Sequence, residues 1–220
     1  MPASCCRTDY DAIFNDRAAR RELAAYRRDG PTGATLRLIR ALKREGVEGA
    51  HVLDIGGGVG VIGHELLAAG AAELTGVDAS RAYLAAARLE AERRGFGDRA
   101  SFVNADFVEV ADEVEPADLV TLDRVLCCYG DWTALVDRSV AHARRAYGLV
   151  YPIERWWLRV GARAVNLGLR LFRQSFRFHV HPERLVDARI RAAGFEAAMR
   201  HRGPIWQTVL YVRTEGPSVS

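Results

Sequence analysis

No stretch of this 220-residue chain is long and uncharged enough to cross a bilayer. The N-terminus, Met1-Pro2-Ala3-Ser4-Cys5-Cys6-Arg7, lacks the apolar core of a secretory leader. The expectation is a cytoplasmic protein without stable membrane insertion. Cysteine is scarce: the four occur as two adjacent pairs, Cys5-Cys6 and Cys127-Cys128, which is neither the density nor the spacing of a secreted disulfide framework. Reduced thiols follow. An excess of one charge is missing too, since 31 basic residues face 28 acidic ones, and the mean field announces neither a nucleic-acid nor a membrane partner. Internal repeats and long low-complexity runs are absent, and only residues 216–220 read as a frayed tail. What is present, 49% hydrophobic content, suffices for the core of a single domain.

The most informative run is Val52-Leu53-Asp54-Ile55-Gly56-Gly57-Gly58-Val59-Gly60, an acid near the end of an apolar strand followed by a loop nearly free of side chains. Such a loop tolerates positive φ and lets a ligand approach backbone N–H groups closely. A turn without a ligand does not require four glycines in five positions, because each costs conformational entropy. A second acid, Asp78, ends the next apolar run, Leu74-Thr75-Gly76-Val77, where a carboxylate can accept both ribose hydroxyls.

Asp54-x-Gly56-x-Gly58-x-Gly60 followed by Gly76-Val77-Asp78 resembles the cofactor site of the class I S-adenosylmethionine-dependent methyltransferases. That resemblance implies S-adenosylmethionine as cofactor, with the glycine turn around its methionine and ribose part and Asp78, with Ala79 beside it, at the ribose. A third acid, Asp106, with Phe107 beside it, would meet the adenine. It also implies a Rossmann-like α/β fold with a seven-stranded, mostly parallel sheet, helices on both faces and an antiparallel last strand. A rival frame exists: Gly58-Val59-Gly60-Val61-Ile62-Gly63 matches the dinucleotide pattern of a nicotinamide oxidoreductase, although it strands Asp54, Gly56 and Gly57. A cofactor-binding protein without catalysis is a second rival.

Two helical stretches, about Asp9 to Arg28 and Thr32 to Glu45, precede the first strand and suggest an N-terminal helical cap over residues 1–48. From residue 49 to 215 strands and helices alternate, which implies a parallel sheet with ligands at the carboxyl ends of its strands. An insert at about 154–175 breaks the alternation. There Trp157, Val160, Ala164, Leu167 and Leu171 recur at helical spacing, and five arginines face one glutamate. In the family the substrate-specificity insert falls between the fifth and sixth strands, so the stretch reads as a lid, with Trp157, Arg155 and Arg159 as acceptor-binding residues. A lipid-surface helix and an ordinary amphipathic helix are the alternatives.

Methyl transfer from a sulfonium is an in-line displacement that demands register more than particular side chains, plus a proton acceptor where the nucleophile carries a proton. The acceptor window is Leu122-Asp123-Arg124-Val125-Leu126-Cys127-Cys128-Tyr129-Gly130-Asp131. It is similar to that of the ubiquinone and menaquinone C-methyltransferases and the magnesium-protoporphyrin O-methyltransferases, but has Cys127 and Cys128 where histidines commonly stand. Asp123, Tyr129 and His181 are the candidate proton acceptors; alternatively the acceptor arrives ionised. Asp123 can equally orient the cofactor amine or bind Arg124. Cys127, Cys128 and His179 are acceptor-binding candidates, and the two cysteine pairs admit a thiol or metalloid methylation site. No metal site is expected, because His201 is the only further histidine in the C-terminal part. The absence of an Asn-Pro-Pro-Tyr-like signature disfavours nucleic acid as substrate, leaving a small or medium-sized metabolite, apolar with an anionic group, methylated at oxygen or carbon.

Overall fold

A computed structural model describes residues 14–171 and 176–214. The described elements are α1 (Asp16–Asp29), α2 (Gly33–Arg44), β1 (His51–Ile55), α3 (Val61–Leu67), β2 (Glu73–Asp78), α4 (Arg81–Arg93), β3 (Ala100–Asn104), α5 (Phe107–Val110), β4 (Ala117–Asp123), α6 (Trp132–Ala141), β5 (Ala143–Pro152), α7 (Trp156–Leu171), α8 (Glu183–Ala192), β6 (Phe195–Arg202) and β7 (Trp206–Arg213). The seven strands lie in the order β3-β2-β1-β4-β5-β7-β6, with β7 antiparallel to both of its neighbours. The chain reverses between β1 and β4, and that switch point is where ligands of open α/β sheets gather.

Alternation along the strands divides the core in two. Leu53, Ile55, Val120, Leu122, Tyr147 and Leu149 point to one face, where α6 and α8 supply Leu135, Val136, Val186 and Ile190. Val52, Leu119, Ala146 and Val150 point to the other, against Leu38, Ile39 and Leu42 of α2 and Ile62 and Leu66 of α3. Helix α2 is therefore a layer of the core rather than part of a cap. Gly148 on β5 permits this close seat, since a Cβ there would stand 2.7 Å from Leu38. Helix α1 alone behaves as a cap. Asn15 caps its first N–H groups, and Ala19, Leu23 and Tyr26 pack on Val59 of the glycine turn and Tyr83 of α4. Arg27 reaches the buried Glu90 at 2.7 Å, and bonds from Arg93 and Arg27 hold that carboxyl down at about 2. Tyr10, Ile13 and the Cys5-Cys6 pair lie outside the described residues. No helix among the described residues is long and apolar enough to cross a membrane.

Candidate active site

The carboxyl ends of β1 to β4 open into a cavity of about 360 Å³, within the range of small-molecule sites. Its floor is the turn after β1. Gly56, Gly58 and Gly60 have φ of 62°, 59° and 80°, a region that side chains disfavour. Two of the glycines are also required by packing: a Cβ on Gly56 would stand 2.5 Å from Val125, and one on Gly57 would overlap the Asp54 carboxylate.

Asp54 supports that turn from beneath. It sits opposite Thr121 in the β1–β4 register, accepts the Thr121 hydroxyl at 2.6 Å and is 2% exposed. Burial, opposed by that bond, raises its pKa to about 7. It lines the cavity beneath the turn but is almost wholly covered, so its first task is to shape the loop. Gly60 is turned away from the cavity, caps α3 in a left-handed conformation and packs on the buried His64 ring. Both ring nitrogens of His64 are buried without a hydrogen-bond partner among the described residues, and burial pushes its pKa down to about 4.

Asp78 faces the cavity at the end of β2. Its Oδ2 accepts the Gly58 N–H at 3.0 Å and its Oδ1 the Ser80 N–H at 2.8 Å, so the acid locks the glycine turn to the next loop. Desolvation raises its pKa. Each oxygen keeps a lone pair for a diol. Ala79 lines the wall beside it, while Asn104 holds the Asp78 and Ala79 carbonyls at 3.0 Å each. Asp106 and Phe107 line the adjoining wall. The Tyr129 hydroxyl donates to Asp106, 2.9 Å from each of its oxygens.

The expected proton acceptors are differently employed. Asp123 accepts the Thr35 hydroxyl at 2.5 Å and pairs with Arg124 at 3.1 Å, because β4 alternation aims it at the face where α2 packs. Tyr129 is a donor to Asp106. His181 lies outside the cavity wall, buried, with Nε2 donating to the Leu126 carbonyl at 2.7 Å and its ring 5.5 Å from that of His179. His179 gives its backbone N–H to Cys127 at 2.7 Å and does not line the cavity either. Burial lowers the pKa of both imidazoles. The pair braces the turn at residues 126–128 from behind.

Cys127 and Cys128 do line the cavity, with Sγ atoms 3.6 Å apart. The Cys127 thiol lies 3.1 Å from the Arg124 carbonyl; the adjoining Cys128 sulfur and burial raise its pKa, while the contact with Cys127 lowers that of Cys128. The lid expectation fails for its named residues. Arg155, Arg159 and Trp157 are absent from the cavity wall: Arg159 pairs with Glu154, and Trp157 is 43% exposed. The amphipathic pattern has apolar residues on two sides of the helix, and the side turned to the protein is the one carrying Ala162 and Asn166.

Several wall residues escaped the sequence reading. Glu22 reaches the cavity from α1 and accepts the Tyr83 hydroxyl at 3.0 Å. Arg124, φ 62°, is the single non-glycine residue with positive φ among the described residues, and the only arginine among those lining the cavity. Phe14, Phe178 and Trp206 add an aromatic side. These groups fit S-adenosylmethionine: a diol acceptor, an acid for the adenine amine and side-chain-free N–H groups share one cavity.

A methyltransferase-domain family model matches residues 52–146, which hold the glycine turn, the four aspartates of the cavity and the cysteine pair, but not Glu22. A search of curated protein sequences gives no match. Among solved structures, magnesium protoporphyrin IX methyltransferase from Synechocystis PCC 6803 with bound SAH is similar at 20% identity and TM-score 0.69, covering 94% of this chain and 98% of that one. An O-methyltransferase family protein from Burkholderia thailandensis is similar at 17% identity and TM-score 0.71, covering 94% and 64%. The [4+2]-cyclase SpnF is also similar, at 14% identity and TM-score 0.66, covering 94% of both chains, so the fold by itself does not set the reaction. The matched stretch is more specific than the fold: residues 52–146 match a methyltransferase domain, set in a fold shared with S-adenosylmethionine-dependent methyltransferases.

Proposed function

We propose that the enzyme methylates a small or medium-sized apolar metabolite at an atom that is nucleophilic without help, an oxygen anion first and an activated carbon second. The observation that carries this reading is that the candidate bases already have partners. On the cavity wall Asp123 accepts from Thr35 and Arg124, and Tyr129 donates to Asp106, whereas His181 lies off the wall. The one guanidinium on the wall, Arg124, is paired with Asp123 and can turn to an anionic acceptor. A carboxylate or an acidic phenol needs no base and would be steered by that guanidinium. Its apolar body would lie against Phe14, Phe178 and Trp206.

In this reading Asp78 takes the ribose hydroxyls, Asp106 the adenine amine, and the turn at residues 56–58 the methionine end. Ala79 and Phe107 wall the nucleoside. Bound S-adenosylmethionine supplies the electrophilic methyl group. The chain contributes register and exclusion of water, with α1 roofing the glycine turn. A substrate that must enter a cavity of this size favours a metabolite over a nucleic acid, and adjacent reduced thiols suit a cytoplasmic setting.

A labelled-methyl screen over aromatic and isoprenoid carboxylic acids and phenols tests the proposal. The expected product is a methyl ester or ether, formed with kcat/KM flat above the acceptor's own pKa. Label found in nucleic acid, or a pH profile that demands an enzyme base of pKa above the acceptor's, rejects it. One observation favours a second reading: two sulfurs 3.6 Å apart on the cavity wall could hold a soft metalloid as acceptor. That reading requires a methylated arsenical whose formation ceases in Cys127→Ser and Cys128→Ser.

A further inference from the structure

Helix α7 is inverted relative to an ordinary surface helix. Of its residues only Ala162 is buried, whereas Trp156 and Leu171 are 75% exposed, Leu167 60% and Val160 54%. At 100° per residue these four fall within one arc of about 60°, nearly opposite Ala162. Gly161 and Gly168 both lie to one side of that arc, and apart from the helix's own backbone nothing stands within 4 Å of where their Cβ atoms would be. A contiguous apolar face this exposed marks a contact surface.

The charges beside the face select the partner. The described helix contains Arg159, Arg163 and Arg170 and no acidic residue, and Arg155 immediately precedes it. Arg159 is tied to Glu154, but Arg155, Arg163 and Arg170 are exposed and make no ion pair among the described residues. Two tryptophans stand at the start of the helix. An apolar stripe with adjoining arginines and interfacial tryptophans is the pattern of a helix lying in the headgroup layer of an anionic bilayer. A second copy of this chain is a poorer occupant, because a symmetric contact across this face would bring like charges together.

We propose that α7 docks the enzyme reversibly on an anionic lipid surface. The seat of the helix gives the docking a purpose. Asn166 holds the Phe178 backbone through two bonds, 2.8 and 2.9 Å, and Phe178 lines the cavity. A bilayer against α7 therefore lies about one helix diameter from Phe178 on the cavity wall, close enough for an apolar acceptor of the kind proposed above to pass from lipid to site. That last clause rests on the proposed function; the docking itself does not.

Vesicle co-sedimentation of the full chain decides the matter. The protein should pellet with phosphatidylcholine vesicles containing phosphatidylglycerol, much less with pure phosphatidylcholine, and less as salt rises, with tryptophan emission shifting blue on binding. The double variant Leu167→Glu/Leu171→Glu and the triple variant Arg155→Glu/Arg163→Glu/Arg170→Glu should each lower the partition coefficient by about tenfold or more. Titration of the same samples with S-adenosylhomocysteine reports their folding, and the salt and lipid dependence of the unmodified chain stands should a variant misfold. No pelleting with anionic vesicles overturns the proposal. Equal binding to neutral vesicles does so too, as does a dimer dissolved by the leucine variant without any lipid affinity. Because vesicle binding requires no turnover and S-adenosylhomocysteine binding no lipid, failure of the docking is distinguishable from failure of the proposed function.

Discussion

At the β1–β2 side of the cavity the ligand-facing surface is backbone: Gly56 and Gly58 at positive φ, tied by the Gly58 N–H to Asp78 and supported from below by Asp54. At the β4–β5 side it is side chains: Arg124, Cys127, Cys128 and Tyr129, with Phe178 and Trp206 beyond them. A backbone surface can recognise only what all its relatives recognise, and its residues cannot vary without strain. A side-chain surface can be rewritten one residue at a time, as the cysteines in place of histidines suggest. Shared chemistry belongs to the first wall and individual chemistry to the second.

The sharpest way to break that contrast is Gly56→Ala. It adds a Cβ at φ 62° and 2.5 Å from Val125, and should cost about 2–5 kcal/mol of stability together with most S-adenosylhomocysteine affinity; melting and calorimetry report both, and a variant that binds normally would remove the turn from the cofactor site. Next comes Asp78→Ala, expected to weaken S-adenosylhomocysteine by roughly one to a few kcal/mol in the same titration, since ribose contacts and the Gly58 lock go together. Arg124→Gln should act on the other wall alone, raising the acceptor KM by about tenfold at unchanged cofactor affinity; equal losses of both in steady-state kinetics and titration would merge the two walls.

A smaller effect concerns pH. Asp54, raised from 3.8 to about 7, contributes stability that is present below its unfolded pKa and fades as pH climbs through the folded value. His64, lowered from 6.5 to about 4, contributes stability present above 6.5 and lost as pH falls through 4. The two slopes oppose each other between about pH 4 and 6.5. In Asp54→Asn the His64 slope should stand uncovered, so denaturant midpoints should rise more steeply with pH across that window than in the parent chain. The least effect is expected from Arg155→Ala and Arg163→Ala, which should leave acceptor KM in detergent-free solution unchanged; a rise would return α7 to the acceptor wall.

The sheet was legible because its signals are local. The apolar runs that carry Asp54 and Asp78 fall on β1 and β2. The antiparallel seat of β7, expected by resemblance, is what the register shows. The start of β5 carries no such local signal, because α6 ends at Ala141 and the strand begins at Ala143 with no glycine or proline between. Glu22 and Arg124 were illegible for different reasons. Glu22 joins the cavity only because α1 folds across Val59 and Tyr83, a tertiary event. Arg124 owes its aim to a left-handed backbone that nothing in its neighbours' composition requires. Helical spacing shows that Trp156–Leu171 is amphipathic, but periodicity does not tell which of two apolar edges the protein keeps.

The phenol of Tyr129 spans both oxygens of Asp106, and two residues earlier the same turn carries Cys127, gripped from behind by the backbone of His179. One ring thus joins the acid on one wall to the thiol-bearing turn on the other, so removal of the Tyr129 hydroxyl would leave Asp106 short of a donor and the turn short of a tether at the same time.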